Sequence, residues 1–376
     1  MIGLLGLGLL AGLLAFANGA NDVSKGIATL VGGGVTSYRR ATLWGAAWTG
    51  LGAAAATSVT GAMLATFGSG LLAPGITPTF AASLAAIGGA TAWVLLATRT
   101  GLPVSTTHAI VGAVVGAALA AYGVQGLAWP GLLTGVVLPL AVTPIVAVGA
   151  AYLGSQAFRG LPAPPAGASD CLCVSASPVL PMDVTPDGAT ACRSGGALDV
   201  TVGTGDTASC ATTGVARITG DHAHWLSSGA VSFARGLNDA PKIVALALGA
   251  AMLAPGSVDA EPRLLFALVA VAMVAGSLIG GRRVTRRLAE GITPLNHRDG
   301  LVANVVAAVL VTSGAVYGLP MSTTHVASGG IIGIGVDRQS LDWRTVRTLA
   351  LAWVVTVPVA ALFGATMFAL VDGLLA

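Results

Sequence analysis

The chain has 376 residues, 55% of them hydrophobic and only 9% charged, with a formal net charge of +3. About a quarter of an ordinary soluble domain is charged, so this composition excludes one and calls for an integral membrane protein. The apolar runs are long and continuous rather than alternating, which excludes an outer-membrane barrel, and the small net charge gives no sign of a nucleic-acid partner.

The start, Met1-Ile-Gly-Leu-Leu, lacks the basic residues of a signal peptide and runs on into Gly19-Ala-Asn-Asp-Val-Ser-Lys25. Apolar segments fall near residues 2–17, 23–34, 41–67, 80–97, 109–124 and 129–154, with Gly101-Leu-Pro-Val-Ser-Thr-Thr-His108 between the fourth and fifth. A middle stretch, 155–221, is rich in Pro, Gly, Ser, Thr and Asp and holds all four cysteines, Cys171, Cys173, Cys192 and Cys210. It reads as a small β-like domain or a loop. Its Cys-x-Cys spacing does not match the usual zinc pattern, so free or disulfide-paired thiols are expected rather than a metal.

From residue 222 the pattern returns, with apolar segments near 225–234, 243–253, 264–281, 301–316, 326–335 and 346–370. Gly236-Leu-Asn-Asp-Ala-Pro-Lys242 and Gly318-Leu-Pro-Met-Ser-Thr-Thr-His325 each follow their first copies by 217 residues (236 − 19 and 318 − 101). Two motifs at one offset mean a duplicated unit. The expected domains are a first membrane repeat at 1–154, the cysteine-containing segment at 155–221 and a second membrane repeat at 222–376.

Several apolar segments are shorter than the roughly 20 residues a helix needs to cross a bilayer. Broken helices or re-entrant hairpins are therefore expected near the motifs, since interrupted segments at matched places in two repeats mark a transporter's binding site. Arg39 and Arg40 lie in the first connection of the first repeat, whereas Arg282, Arg283, Arg286, Arg287 and Arg298 crowd the second connection of the second. Positive-inside reasoning then places equivalent loops on opposite sides. The expected fold is an all-α integral membrane protein of two inverted repeats, their broken helices meeting near the membrane midplane.

The chemistry concentrates in the motifs. Asp22 is the only acid in the first 169 positions, and Asp239 is its repeat partner. An acid inside a bilayer is a functional candidate, the alternative being that Asp22, helped by Asn21, caps a helix starting at Val23. Lys25 and Lys242 are the only lysines in the chain and stand at i, i+3 from these acids, so an Asp–Lys pair is expected in each repeat. That pair reads either as structural neutralisation or as a cation set beside an anion.

Pro103 and Pro320 stop an incoming helix, leaving Ser105, Thr106 and Thr107, with Ser322, Thr323 and Thr324, at the start of the next. Hydroxyls at a helix N-terminus make a cradle suited to a tetrahedral oxyanion. His108 and His325 follow, as structural residues or as a proton relay. Ser, His and Asp invite a hydrolase reading, but no nucleophile elbow is present and a duplicated site argues against an enzyme.

At these residues the chain resembles the inorganic phosphate transporter (Pit) family, on Gly19-Ala-Asn-Asp-Val23 and more loosely on Gly236-Leu-Asn-Asp-Ala240. The resemblance spans both repeats but not the cysteine segment. It implies a dimeric, inverted-repeat secondary transporter in the cell membrane that moves phosphate with co-transported H+ or Na+ and needs no other cofactor. By position it implies that Asn21, Asp22, Asn238 and Asp239 handle the coupling ion, while the two Ser-Thr-Thr runs hold the anion. Where the family commonly has Asn, this chain has Lys25 and Lys242. An ammonium there competes with sodium for the carboxylate, which makes protons the more natural coupling species. A sulfate permease of the same fold, an anion channel and a membrane enzyme acting on phosphorylated lipid stand as alternatives.

Overall fold

The computed structural model describes residues 2–59, 61–68, 70–159, 171–178, 182–184, 190–192, 198–205, 216–253 and 261–375. The chain divides into two compact units, residues 1–158 with 226–376, and residues 159–225.

The larger unit is helical. Its first half holds α1 (Ile2–Gly32), α2 (Tyr38–Val59), α3 (Gly61–Gly68), α4 (Phe80–Thr100), α5 (Thr106–Tyr122), α6 (Trp129–Leu132) and α7 (Leu138–Arg159), with a π turn at Leu133–Val137 joining the last two. Its second half holds α8 (Gly220–Met252, from residue 226 on), α9 (Pro262–Ile279), α10 (Arg282–Glu290), α11 (His297–Val316), α12 (Thr323–Arg338) and α13 (Trp343–Leu375). Among the described residues, five helical stretches are long and apolar enough to cross a membrane: Phe80–Thr100, Trp129–Ala157, Pro262–Ile279, His297–Val316 and Trp343–Leu374. The protein is a multi-pass membrane protein.

The expected breaks occur at one motif and not at the other. Between α4 and α5, Gly101 takes the left-handed conformation (φ 72°) and donates its N–H to the last carbonyls of α4. Pro103 cannot continue a helix, and the Ser105 side chain accepts from His108 N to cap α5. Gly318 (φ 70°), Pro320 and the Ser322 cap repeat this stop-and-start between α11 and α12. Each pair packs as a helical hairpin.

The Asn-Asp motifs, in contrast, interrupt nothing. The breaks expected between segments 2–17 and 23–34, and between 225–234 and 243–253, are corrected here: α1 runs unbroken through 31 residues and α8 through 33, with Pro241 inside it. Asn and Asp favour helix ends because their side chains compete for nearby backbone. Here those side chains are engaged by side chains of their own helix and by distant helices and loops, which removes most of that competition. Asp22 is accordingly not a cap.

Small residues let the helices close up. A Cβ on Gly19 would stand 2.1 Å from Met273 O, and one on Gly276 2.0 Å from Phe16 O, so α1 and α9 touch through backbone. Gly236 against Thr49 O and Gly52 against Phe233 O, at 2.2 and 2.0 Å, join α8 to α2 in the same way. Without a hydrophobic drive between helices in lipid, such close packing supplies the attraction.

In the smaller unit, β1 (Cys171–Pro178) pairs antiparallel with β4 (Leu198–Gly205) and β5 (Ala216–Thr219). A separate ribbon joins β2 (Met182–Val184) to β3 (Thr190–Cys192). Cys171 and Cys173 belong to β1 and Cys192 to β3. The side chains of these three, and all of Cys210, lie outside the described residues.

Candidate functional site

The motif residues come together in the interior of the helical unit. Asp22, Lys25, Asp239 and Lys242 are 1%, 2%, 2% and 1% exposed, so the cluster is sealed from the surface. Lys25 pairs with Asp22 Oδ1, and Lys242 Nζ lies 3.1 Å from Asp239 Oδ1, each across the expected i, i+3 step.

The two Ser-Thr-Thr loops meet tip to tip. The Thr107 hydroxyl donates to Met321 O at 3.2 Å, and the Thr324 hydroxyl donates to Val104 O at 2.8 Å. These are equivalent positions exchanged between repeats, each 217 residues apart (324 − 107 and 321 − 104). Each tip carbonyl also receives a lysine: Lys25 Nζ lies 3.2 Å from Val104 O and Lys242 Nζ 3.1 Å from Met321 O. Ser105 and Ser322 spend their hydroxyl oxygens on capping. Thr106 and Thr323 point their hydroxyls at a single atom, Asp22 Oδ2, both at 3.4 Å.

Asn18, one turn before Asp22, ties the halves together. Its Nδ2 lies 3.2 Å from Asp22 Oδ2, 3.1 Å from Thr106 Oγ1 and 3.0 Å from Asp239 Oδ2. Asn21 donates to Thr98 Oγ1 and Leu102 O, both at 3.0 Å, and offers its Oδ1 to Lys25 at 2.7 Å. Asn238 donates to Asp239 Oδ1 at 2.8 Å and Met321 O at 3.0 Å. The Oδ1 atoms of Asn18 and Asn238 are buried with no donor among the described residues.

Arg235 stands one turn before Asp239, at the position equivalent to Asn18 (235 − 18 = 217). It is fully buried, and its Nη2 donates to Thr49 Oγ1 and, at 3.2 Å, to Ser277 Oγ. Its Nε and Nη1 have no hydrogen-bond partner among the described residues. Counted at their formal charges, Lys25, Lys242 and Arg235 against Asp22 and Asp239 sum to one positive charge, the sign an anion site needs.

His108 and His325 face each other with ring centroids 4.5 Å apart, and His325 packs against Trp353 with its Nδ1 3.2 Å from Leu140 O. Beyond the cluster, the Phe67 ring lies 5.9 Å from Lys242 Nζ and also lines an apolar pocket with Leu71, Val114 and Tyr122.

A sequence profile described as the "Phosphate transporter family" matches residues 18–364, which contain every motif residue of this cluster. The chain belongs to the phosphate transporter family. Curated relatives agree: a protein of Mycobacterium bovis named a probable low-affinity inorganic phosphate transporter is 28% identical over 95% of this chain and 74% of its own length. One of Rhizobium meliloti with the same name is 28% identical over 97% of both chains. A solved structure entitled "The sodium-dependent phosphate transporter" superposes with a TM-score of 0.76 over 99% of both chains at 21% identity, which shows a shared fold.

In this member of the phosphate transporter family, the structure gathers the acids, lysines, asparagines and threonines into one place. It sets the two histidines beside each other, with no hydrogen bond to either acid among the described residues. Asn18 and Arg235 were missed by reading the sequence, because they are not a matching pair. The signal was their common position one turn upstream of the repeated acids.

Proposed function

We propose that this protein is a secondary active symporter that carries inorganic phosphate across the cell membrane, working as a homodimer of inverted-repeat chains. The observation that carries the reading is the exchange of bonds between the two tips, Thr107 to Met321 O and Thr324 to Val104 O. A contact in which i meets j′ while j meets i′ is the mark of a two-fold relation. The paired glycine contacts of α1 with α9 and of α8 with α2 support the same relation. One site closed from two sides by equivalent tips suits alternating access, in which one repeat rocks against the other. A channel has no need of a doubly closed site.

The proposed anion ligands are Thr106, Thr107, Thr323 and Thr324, with Ser105 and Ser322 holding the helix starts and Lys25 and Lys242 supplying charge. Asn21, Asp22, Asn238 and Asp239 form the proposed coupling-ion region, served by H+ or Na+, with His108 and His325 as a relay. The unsatisfied Oδ1 atoms of Asn18 and Asn238 favour phosphate over sulfate. Asn18 Nδ2 lies against two carboxylate oxygens, and Asn238 Nδ2 against a carboxylate and a carbonyl oxygen, which supports the oxygen assignment. A protonated phosphate can donate to such oxygens and dianionic sulfate cannot.

The test is uptake of radiolabelled phosphate and sulfate into proteoliposomes. Saturable phosphate uptake that excess sulfate leaves unchanged is expected. Equal competition by sulfate moves the assignment to sulfate, and voltage-driven currents far above carrier rates move it to a channel.

A further inference from the structure

The surroundings of the two ammonium groups differ from those of an ordinary buried ion pair. Lys25 Nζ is ringed by Asn21 Oδ1 at 2.7 Å, Val104 O at 3.2 Å, Asn21 O at 3.3 Å and the paired Asp22 Oδ1. An ammonium has three protons, so these four oxygens exceed what its hydrogen bonds can use. Lys242 Nζ lies among Thr107 Oγ1 at 2.7 Å, Asp239 Oδ1 at 3.1 Å and Met321 O at 3.1 Å. Each shell contains one carboxylate and one backbone carbonyl from the non-helical stretch before Ser105 or Ser322. Carboxylates joined by carbonyls of unwound backbone are the donors from which transporters build sites for small hard cations.

We infer that the ammonium groups of Lys25 and Lys242 are the resident cations of two cation sites, so that this protein binds its oxyanion with no dissolved sodium. The inference deepens the oxyanion-carrier reading above and rests on it. The charge count agrees. Each carboxylate already has a lysine, and Arg235 adds a positive charge with no ion pair among the described residues. A monoanion balances that excess, whereas a sodium ion would enlarge it in a medium where like charges repel strongly. A lysine is also tethered: it orders the carboxylate and the tip carbonyl before the anion arrives and remains when the anion leaves.

The test uses the purified full-length protein in detergent, its thermal unfolding followed by tryptophan fluorescence. Sodium chloride and choline chloride are exchanged at constant ionic strength, with and without inorganic phosphate. Wild-type protein is expected to unfold at the same temperature in both salts. Its phosphate half-saturation should agree between them to within about twofold, a difference of less than about 0.5 kcal/mol. Lys25→Asn with Lys242→Asn opens both shells, so phosphate binding in choline should weaken about tenfold or more, and sodium should restore it. Either single variant should show the same change in part and carries the test if the double variant does not fold. A wild-type protein that is stabilised by sodium alone, or that binds phosphate only when sodium is present, overturns the inference. Absence of phosphate binding in every salt would instead sink the substrate reading, and the sodium-only titration of wild type and variants would still decide the cation sites.

Discussion

The two half-sites carry the same ion pair but differ one helical turn upstream, where the first has Asn18 and the second Arg235. Asn18 reaches the centre and binds both acids, while the Arg235 Nη2 is drawn to Thr49 and Ser277 on α2 and α9. The difference shows how a duplicated scaffold would make one proposed site instead of two. Two asparagines there would compete for the same pair of carboxylates, and two arginines would add a second unbalanced charge. One of each gives a single bridge and a single excess charge.

The strongest way to break the comparison is to remove a carboxylate. Asp22→Asn withdraws the charge that pairs with Lys25 and leaves one acceptor oxygen where Lys25 on one side, and Asn18, Thr106 and Thr323 on the other, use two. Leaving one partner of a buried pair unmatched costs about 3–5 kcal/mol, so a lowered unfolding temperature and loss of uptake are expected. Asp239→Asn should do the same to a smaller degree, because no threonine of the Ser-Thr-Thr loops donates to it. Equal losses in thermal unfolding and uptake would contradict the unequal roles drawn for the two acids.

Next in size is Arg235→Asn, which makes the two halves alike and removes the excess charge. Phosphate half-saturation should rise about tenfold, equivalent to about 1.4 kcal/mol, and Arg235→Lys should restore most of the loss. A variant with lowered stability but unchanged half-saturation would confine Arg235 to joining α8 with α2 and α9.

The threonines sharpen the comparison. Replacing Thr106 and Thr107, or Thr323 and Thr324, by Val removes hydroxyls without changing shape. Each lost bond to a charged oxyanion is worth about 1.5–3 kcal/mol, so uptake affinity should fall at least about tenfold per pair. Between the pairs, Thr107→Val should cost more than Thr324→Val, since Lys242 also donates to the Thr107 hydroxyl. Identical half-saturation in the two single variants would remove that distinction.

How much of this was open to reading depends on what kind of signal each residue gives. The interval of 217 exposed the repeated Asn-Asp-Lys and Ser-Thr-Thr-His motifs, and Gly101, Pro103 and Ser105 declared a helix stop and restart by local chemistry. Continuity of α1 through Asn21 and Asp22 was hidden, because it depends on Thr98, Leu102 and Thr106 from distant stretches. Asn18 and Arg235 were hidden for the opposite reason: a search for repeats finds what two copies share, and these residues matter where the copies part.

The smallest intervention leaves the site alone and asks how the halves are oriented. Single cysteines at Ser37 and at Ser257, the latter outside the described residues, are placed in a background lacking the four native cysteines. Labelling from opposite sides of the membrane is expected, and labelling from the same side would end the inverted-repeat reading.

The central claim, one oxyanion site held between two tethered ammonium groups, is tested most directly by phosphate uptake into proteoliposomes at fixed pH. Sodium is replaced by choline on both sides, and a proton gradient is then imposed separately. The account predicts that uptake is indifferent to the replacement and rises with an inward proton gradient. A strict requirement for sodium, with no response to the proton gradient, would contradict it.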